Sequence, residues 1–99
     1  MPSNFSEVQV TGVGSSNWVL VNSYKGPKSI FVNLDGTATW SVEHTPNHAA
    51  GTPWIYPHET LVSQTAAQGD GNYRFPVDAI RVTVSVGTGT VSMIVIEEK

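Results

Sequence analysis

The stretch "AIRVTVSVGTGTVSMIVIE", residues 79–97, alternates apolar and polar side chains, and this alternation decides the fold class. Its first half places one set of apolar side chains on a common face: Ile80, Val82, Val84 and Val86. A period of two residues is typical of a β-strand with one buried face, whereas a helix repeats its apolar residues every three to four positions. The sequence therefore predicts two consecutive strands, joined by a tight connection through Gly87 and Gly89.

The second strand of this stretch carries apolar side chains on both faces. Val91, Met93 and Val95 share one face, and Ile94 and Ile96 lie on the other. A second sheet covers only one face of such a strand, so the opposite face needs a further cover. Self-association would supply that cover.

Alternation recurs along the rest of the chain, in "SEVQVTG", "NWVLVNS", "SIFVNLDG", "TATWSVEHT" and "TLVSQTA". Turn-forming residues separate these runs: Asp35-Gly36 is a strong signal for a short hairpin, and "AAQGDGNYRFP" is typical of a longer loop. Seven or eight short strands, spaced at roughly 8–12 residues, predict an all-β protein that is an antiparallel β-sandwich or jelly roll. The 99 residues are expected to form a single domain, 1–99, with 1–6 as an extended N-terminal arm and with Trp18 and Trp40 in the core.

The composition excludes several classes of partner. Only 13% of the residues are charged, about half the ~25% of an average globular protein, which is common for proteins that assemble. The five basic residues are scattered and the net charge is −3, whereas binding of nucleic acid needs several cations on one face. There is no cysteine, no signal peptide and no apolar run approaching the ~18–20 residues of a membrane span. The sequence therefore predicts a protein made in the cytoplasm, with no disulfide, no nucleic-acid partner and no membrane.

Three segments resemble those of small bacteriophage virion structural proteins: "NWVLVNS", "ATWSVEHTPN" and "TAAQGDGNYRFPVDAIRVTVSVGTGTVSMIVIE". The resemblance covers about residues 17–96 and consists of strand and turn motifs. It implies a β-sandwich component of a phage particle, and the favoured role is a capsid decoration or cement protein. Such a protein would bind the major capsid protein, other virion subunits or copies of itself as a homo-oligomer, and a small tail or fibre component is the alternative. Both roles imply a location in the virion after synthesis in the host cytoplasm, and no functional residue is carried over.

All three histidines, His44, His48 and His58, lie near Glu59 in the sequence, so a zinc enzyme is an alternative hypothesis. Pro46 stands between the first two histidines and opposes a helical ligand pair, and the motif H-E-x-x-H is absent. No serine lies in a G-x-S-x-G motif. Asp35, Asp70 and Asp78 lie in predicted turns or loops, and Glu97 and Glu98 lie in the C-terminal tail. The sequence accordingly predicts no enzyme activity, no cofactor and no metal.

Contacts with partners are expected in the loop of residues 45–59, in the N-terminal arm and on the outer face of the last strand. The candidate contact residues are Phe5, His48, Trp54, Tyr56, His58, Ile94 and Ile96. Exposed Trp and Tyr side chains are common at interface hot spots, and their amphipathic rings also stack on sugars. A carbohydrate-binding module that binds a glycan through Trp54 and Tyr56 is therefore a further alternative.

Overall fold

The structure, a computed structural model, describes residues 4–21 and 27–97. These residues form nine β-strands and a single 3₁₀ turn, Thr52–Trp54. The strands are β1 (Asn4–Thr11), β2 (Gly14–Ser15), β3 (Val19–Leu20), β4 (Lys28–Asp35), β5 (Ala38–Thr45), β6 (Tyr56–Pro57), β7 (Gln68–Tyr73), β8 (Ala79–Gly87) and β9 (Thr90–Glu97). The count exceeds the predicted seven or eight strands because it includes three very short ones, β2, β3 and β6, of two residues each. Within the described ranges, no helix has the length and apolarity that a membrane crossing requires.

The strands form two antiparallel sheets that pack face to face. The first sheet has the order β1-β9-β4-β7. In the second sheet, β8 lies between β5 and the short strands β2 and β3, and β6 borders the other side of β5. The predicted all-β, antiparallel β-sandwich is therefore confirmed, and residues 79–97 supply one inner strand to each sheet.

The core between the sheets consists largely of the side chains that the alternation predicts to face inward. Its fully buried members include Ile30, Val32, Trp40, Val42, Ile80, Val82, Val84, Val91, Met93 and Val95. Val86 is an exception and is 63% exposed. A β-bulge explains this: Thr39 pairs with Val86, but the next residue, Trp40, pairs with Val84. Ser85 is therefore an extra residue in β8, and it turns Val86 to the solvent.

The predicted hairpin at Asp35-Gly36 is wrong, because β4 and β5 lie in different sheets. This turn carries the chain across from one sheet to the other, and the connection between β8 and β9 does the same beside it. The Thr37 carbonyl joins the two corners by accepting hydrogen bonds from the backbone N–H groups of Thr88 and Gly89, at 3.2 and 2.9 Å. An Asp-Gly pair thus predicts a chain reversal, but it does not determine whether the flanking strands pair with each other.

The segment "AAQGDGNYRFP", which the sequence predicts to be a loop, contains β7. Gly69 and Gly71 face inward from this strand, and neither position has room for a side chain. A Cβ atom on Gly69 would lie 2.6 Å from Cη2 of Trp40, and one on Gly71 would lie 2.9 Å from Cδ1 of Leu61. The glycines that suggest a loop are therefore required by the close approach of core side chains to a strand.

The segment "TLVSQTA" is not a strand and has one isolated bridge, between Gln64 and Trp40. It still satisfies the backbone on the free side of β5, because the Val42 N–H donates to the Leu61 carbonyl at 2.8 Å. Ser63 has a φ of 52°, which no extended strand accommodates. The segment therefore covers the edge of β5 without forming a regular strand.

The N-terminal arm predicted over residues 1–6 differs from the structure. Asn4, Phe5 and Ser6 belong to β1 and pair with β9, so their backbone lies in a sheet ladder instead of extending away from the domain. Residues 1–3 lie outside the described residues.

Trp18 also differs from the prediction, because it is half-buried and not part of the core. The guanidinium carbon of Arg81 lies 4.5 Å from the centre of its ring, a distance at which a cation and an aromatic face attract. Of "NWVLVNS", only Val19–Leu20 forms a strand, and residues 22 and 23 lie outside the described ranges.

Candidate functional site

Five ring side chains meet at one end of the sandwich, and we call this group the end cluster. Its members are His44, Tyr56, His58, Tyr73 and Phe75. The His44 ring lies in the middle, with its centroid 4.7 Å from that of Tyr73 and 5.5 Å from that of Phe75. Tyr56 is stacked beside His44 at 6.0 Å, because β6 pairs with β5 at this position. Edge-to-face and stacked rings at these separations stabilise one another beyond the area that they bury.

The inner part of the end cluster is a buried frame. Tyr73 ends β7 with its ring inside the sandwich, and its hydroxyl oxygen lies 2.7 Å from Nδ1 of His44. Burial, and secondarily the charge of Glu43, raise the pKa of Tyr73 far above its ordinary value. The phenol is therefore neutral at all physiological pH values, and this hydrogen bond keeps its donor.

His58 fixes the loop of residues 58–61 to β7 and is only 4% exposed. Its Nδ1 accepts hydrogen bonds from the backbone N–H groups of Thr60 and Leu61, both at 3.1 Å. Its Nε2 donates to the Asn72 carbonyl at 2.9 Å, so the ring is the neutral tautomer with its proton on Nε2. Because the ring is buried and both nitrogens have partners within the chain, the structure removes His58 from the candidate contact residues.

Acid is expected to destabilise the fold through His44. Burial, and secondarily the neighbouring His58, lower the pKa of His44 below the ordinary histidine value of about 6.5. The folded state therefore binds fewer protons than the unfolded state. As a consequence, the free energy of unfolding should fall as the pH drops below about 6.5, until the lowered pKa is passed.

Urea unfolding between about pH 8 and pH 5 measures this dependence. The substitution His44→Gln should reduce the slope in this range, whereas Val86→Ala, at an exposed residue that does not titrate, is the control and should leave it unchanged. An equal slope in His44→Gln and in the wild-type chain would contradict the assignment.

His48 lies apart from the end cluster and anchors the loop that follows β5. Its backbone N–H and its Nδ1 lie 2.8 and 2.6 Å from Oδ2 of Asp78. Two hydrogen bonds from His48 lower the pKa of Asp78 below the ordinary range. The larger effect comes from the backbone N–H and the smaller one from the ring. The Asp78 N–H in turn donates to the Thr45 carbonyl at 2.9 Å. The loop is therefore fixed against the start of β8, and the ring of His48 keeps part of its surface exposed.

The outer part of the end cluster is exposed and aromatic. Tyr56 is 45% exposed and Phe75 is 54% exposed. Trp54, on the 3₁₀ turn two residues before Tyr56, is 50% exposed. The sequence does not predict Phe75 as a contact residue, because Phe75 follows β7 in a segment that resembles a loop. The one signal for its exposure is that an aromatic residue stands directly before Pro76.

A second exposed apolar surface, the outer sheet patch, lies on the face of the first sheet that points away from the core. Its members are Phe5, Phe31, Ile94 and Ile96. Phe5 lies directly opposite Ile96, and Phe31 lies directly opposite Ile94, so these side chains are cross-strand neighbours on three adjacent strands. The two isoleucines are half-buried, whereas Phe5 is 64% exposed. Phe31 was also missed, although the alternation of "SIFVNLDG" already places it opposite Ile30.

The three histidines do not converge on a common point. His48 contacts Asp78, and both ring nitrogens of His58 are used within the chain. Across residues 4–21 and 27–97, no group of three or more His, Asp or Glu side chains has the geometry to hold a metal ion.

Comparisons with known proteins identify the fold. No protein-family model and no curated protein matches the chain. A chain of the acid-stable capsid structure of Helicobacter pylori bacteriophage KHP30 aligns with a TM-score of 0.58 and 12% identity, over 100% of this chain and 89% of that one. The SPBc2 prophage-derived protein YomS aligns with a TM-score of 0.57 and 7% identity, over 99% and 96%. A family 29 carbohydrate-binding module aligns with a TM-score of 0.54 and 12% identity, over 98% and 74%.

At these identities the likeness establishes a common β-sandwich fold and carries no residue role from one protein to another. Phage proteins and a carbohydrate-binding module are both among the structural neighbours. The fold therefore occurs in proteins of different kinds, and it does not by itself assign a function to this chain.

Proposed function

We propose that this chain is a non-enzymatic structural protein of a bacteriophage particle, acting as a capsid decoration or cement protein. It would bind neighbouring capsid subunits, or further copies of itself, and a small tail or fibre component is the alternative location. The order β1-β9-β4-β7, facing a sheet in which β8 lies between β2/β3 and β5, supports a jelly roll, a fold frequent in viral capsid domains. The fold that this chain shares with a phage capsid chain also supports the proposal.

The observation that carries the proposal is the exposed aromatic surface of the end cluster. Tyr56, Phe75 and the neighbouring Trp54 present large rings to the solvent in a chain that has few charges. The rings are held by a buried frame, in which Tyr73 binds His44. Rigid aromatic side chains dominate the energetics of interfaces, because they bury much area and lose little conformational entropy on binding.

Truncating the exposed rings is expected to weaken attachment to the particle. Tyr56→Ala and Phe75→Ala should each lower the affinity for particles by about 30-fold, which corresponds to about 2 kcal/mol at a hot spot. The measurement is co-sedimentation of the purified chain with particles of a phage from which the gene for this chain has been deleted.

Val86→Ala is the matched control, since Val86 is an exposed apolar residue that pairs with Thr39, at the opposite end of β8 from the residue that pairs with His44. This variant should bind as the wild-type chain does. Wild-type affinity in both aromatic variants would exclude the end cluster as the contact, and a wild-type chain that does not bind particles would contradict the proposed function itself.

A carbohydrate-binding module remains the second candidate because of one specific observation. Glu59, Asn72 and Arg74 line a shallow depression beside the exposed ring of Phe75. A planar ring next to polar donors and acceptors is the chemistry that holds a sugar, with the ring stacked on its apolar face. Binding on a glycan array that is lost in Trp54→Ala or Phe75→Ala would favour the module. No glycan binding, together with co-sedimentation on particles, would favour the structural protein.

A further inference from the structure

Three of the four sheet edges among the described residues are short or covered. In the second sheet, one edge consists of the two-residue strands β2 and β3, and the other combines the two-residue β6 with backbone bonds from residues 58–64 to β5. In the first sheet, the outer edge of β7 has its Asn72 carbonyl bound by His58 and carries the charge of Asp70. Proteins protect their edges in these ways because unpaired backbone groups are a template for another strand.

The fourth edge, along β1, is neither short nor bound by another segment of the described residues. β1 is eight residues long and pairs with β9 without a bulge from Asn4 to Thr11. It contains no proline, and Glu7 is its single charged residue. No strand in the described part of the chain pairs with its other side.

The hydrogen bonds of the neighbouring turn show which backbone groups point outward. The Gly12 N–H donates to the Gly89 carbonyl at 3.0 Å, and these two residues continue the register of β1 and β9 as a directly opposed pair. In an antiparallel ladder, hydrogen-bonded pairs alternate with pairs that are not hydrogen-bonded. The N–H and C=O groups of every second residue of β1 therefore point away from β9: Phe5, Glu7, Gln9 and Thr11.

We propose that a second copy of this chain pairs antiparallel with this edge, β1 against β1, so that the two first sheets form one continuous sheet about a two-fold axis. Only residues with outward backbone groups can exchange hydrogen bonds, which leaves two registers with long overlap. One register places Glu7 opposite Glu7 of the second copy, and like charges directly opposite each other are destabilising. The other places Glu7 opposite Gln9 of the second copy, with the axis at Val8.

The second register is chemically complementary. The Gln9 amide nitrogen already donates one hydrogen to the Ser92 hydroxyl at 3.0 Å, which orients the group and leaves its second hydrogen for a carboxylate. Glu7 of the other copy supplies that carboxylate, and the symmetry repeats the contact. An isologous interface of this kind needs no separate complementary strand, because the same residues supply both sides.

Pairing along β1 would also extend the outer sheet patch. The patch reaches the free edge at Phe5, so pairing along β1 would place the patches of both copies on one face of a continuous sheet. This inference refines the self-contact within the proposed function, but it does not require the virion. A chain that stays monomeric would contradict it and would leave attachment to particles open.

The chain has no cysteine, so disulfide trapping can test the register without background. Copies carrying Glu7→Cys are mixed with copies carrying Gln9→Cys under mild oxidation. In the proposed register the two cysteines lie directly opposite, at a Cα separation of about 5.5 Å that suits a disulfide. Disulfide-linked dimers should form in the mixture, and neither variant should form them alone, because like positions would be diagonal and about 7–8 Å apart.

A crosslink between copies carrying Phe5→Cys and copies carrying Gln9→Cys, which are directly opposite only in the register centred on Glu7, would overturn the proposed register. No crosslink in any sample would overturn the pairing. A second measurement follows the mass of the wild-type chain in solution by light scattering. Gln9→Pro should make the chain monomeric without unfolding it, since the Gln9 N–H has no partner in β9. Gln9→Glu should weaken the dimer and Gln9→Lys should strengthen it, each by about twofold to tenfold. A dimer that is unaffected by all three substitutions would contradict the inference.

Discussion

Replacing Trp40 by alanine is expected to lower the free energy of unfolding by about 3–5 kcal/mol, the largest loss for any single side chain of this core. The Trp40 ring is 1% exposed and lies between the sheets, against Gly69 of β7. Its indole Nε1 donates to the Ala66 carbonyl at 3.0 Å, so the substitution removes a hydrogen bond as well as buried apolar area. Since domains of this size have about 5–15 kcal/mol of stability, the loss is a large fraction of the total, and the urea midpoint should fall clearly.

Urea unfolding followed by circular dichroism measures this loss and avoids the change in tryptophan fluorescence. Trp54→Ala is the matched control, because it deletes the same side chain from an exposed position. It should cost less than about 1 kcal/mol. Similar losses in both variants would contradict the placement of Trp40 as the central residue of the core.

Replacing Gly69 by valine is expected to cost about 3 kcal/mol, because the added side chain has no space. Its Cβ atom would lie 2.6 Å from Cη2 of Trp40, a separation that requires the ring or the strand to move. In the Trp40→Ala background the space is open, so the cost of Gly69→Val should fall by about 1–2 kcal/mol. A double-mutant cycle by urea unfolding measures this coupling.

Asp70→Val controls for the change of residue type within β7. Asp70 is the next residue along the strand and its side chain is exposed on the outer face. This substitution should be nearly neutral, since valine suits a strand and fills no occupied volume. Additive costs of Gly69→Val and Trp40→Ala would show that the two residues do not touch, and the account of β7 would then be wrong.

Alternation was sufficient to predict the long strands of this fold, because a sheet with one buried face imposes a period of two residues. The buried side chains of β4, β5, β8 and β9 follow it, with Val86 displaced by the bulge at Ser85. The pairing of those strands was less predictable. Asp35-Gly36 predicted a hairpin, whereas the turn is a corner between sheets that depends on contacts of Thr37 with residues distant in sequence.

The least predictable element was β7, because its strand character comes from tertiary packing and not from its own residues. Glycines at positions 69 and 71 weaken any strand pattern, and only the rings and aliphatic groups that pack on them explain their presence. The same limit applied to the site. Tyr56 and Trp54 were predicted as exposed contact residues from the loop composition, but Phe75 joins them only because β5 and β7 end side by side.

His58 illustrates the difference between composition and environment. It lies in the same loop as Tyr56, and its residue type suggested a contact or a ligand. The structure instead gives both ring nitrogens internal partners, including the Asn72 carbonyl on β7. No pattern in one sequence distinguishes a histidine that satisfies buried backbone groups from one that meets a partner.

The most direct test of the proposed function is the protein composition of purified particles. Phage particles from a host that carries the coding sequence are separated on a density gradient, and the amount of this chain relative to the major capsid protein is measured by mass spectrometry. A structural protein of the particle should co-migrate with intact particles at a fixed ratio, and this ratio should fall in a phage carrying Tyr56→Ala. Absence of the chain from particles, while it is present in the infected cell, would contradict the account.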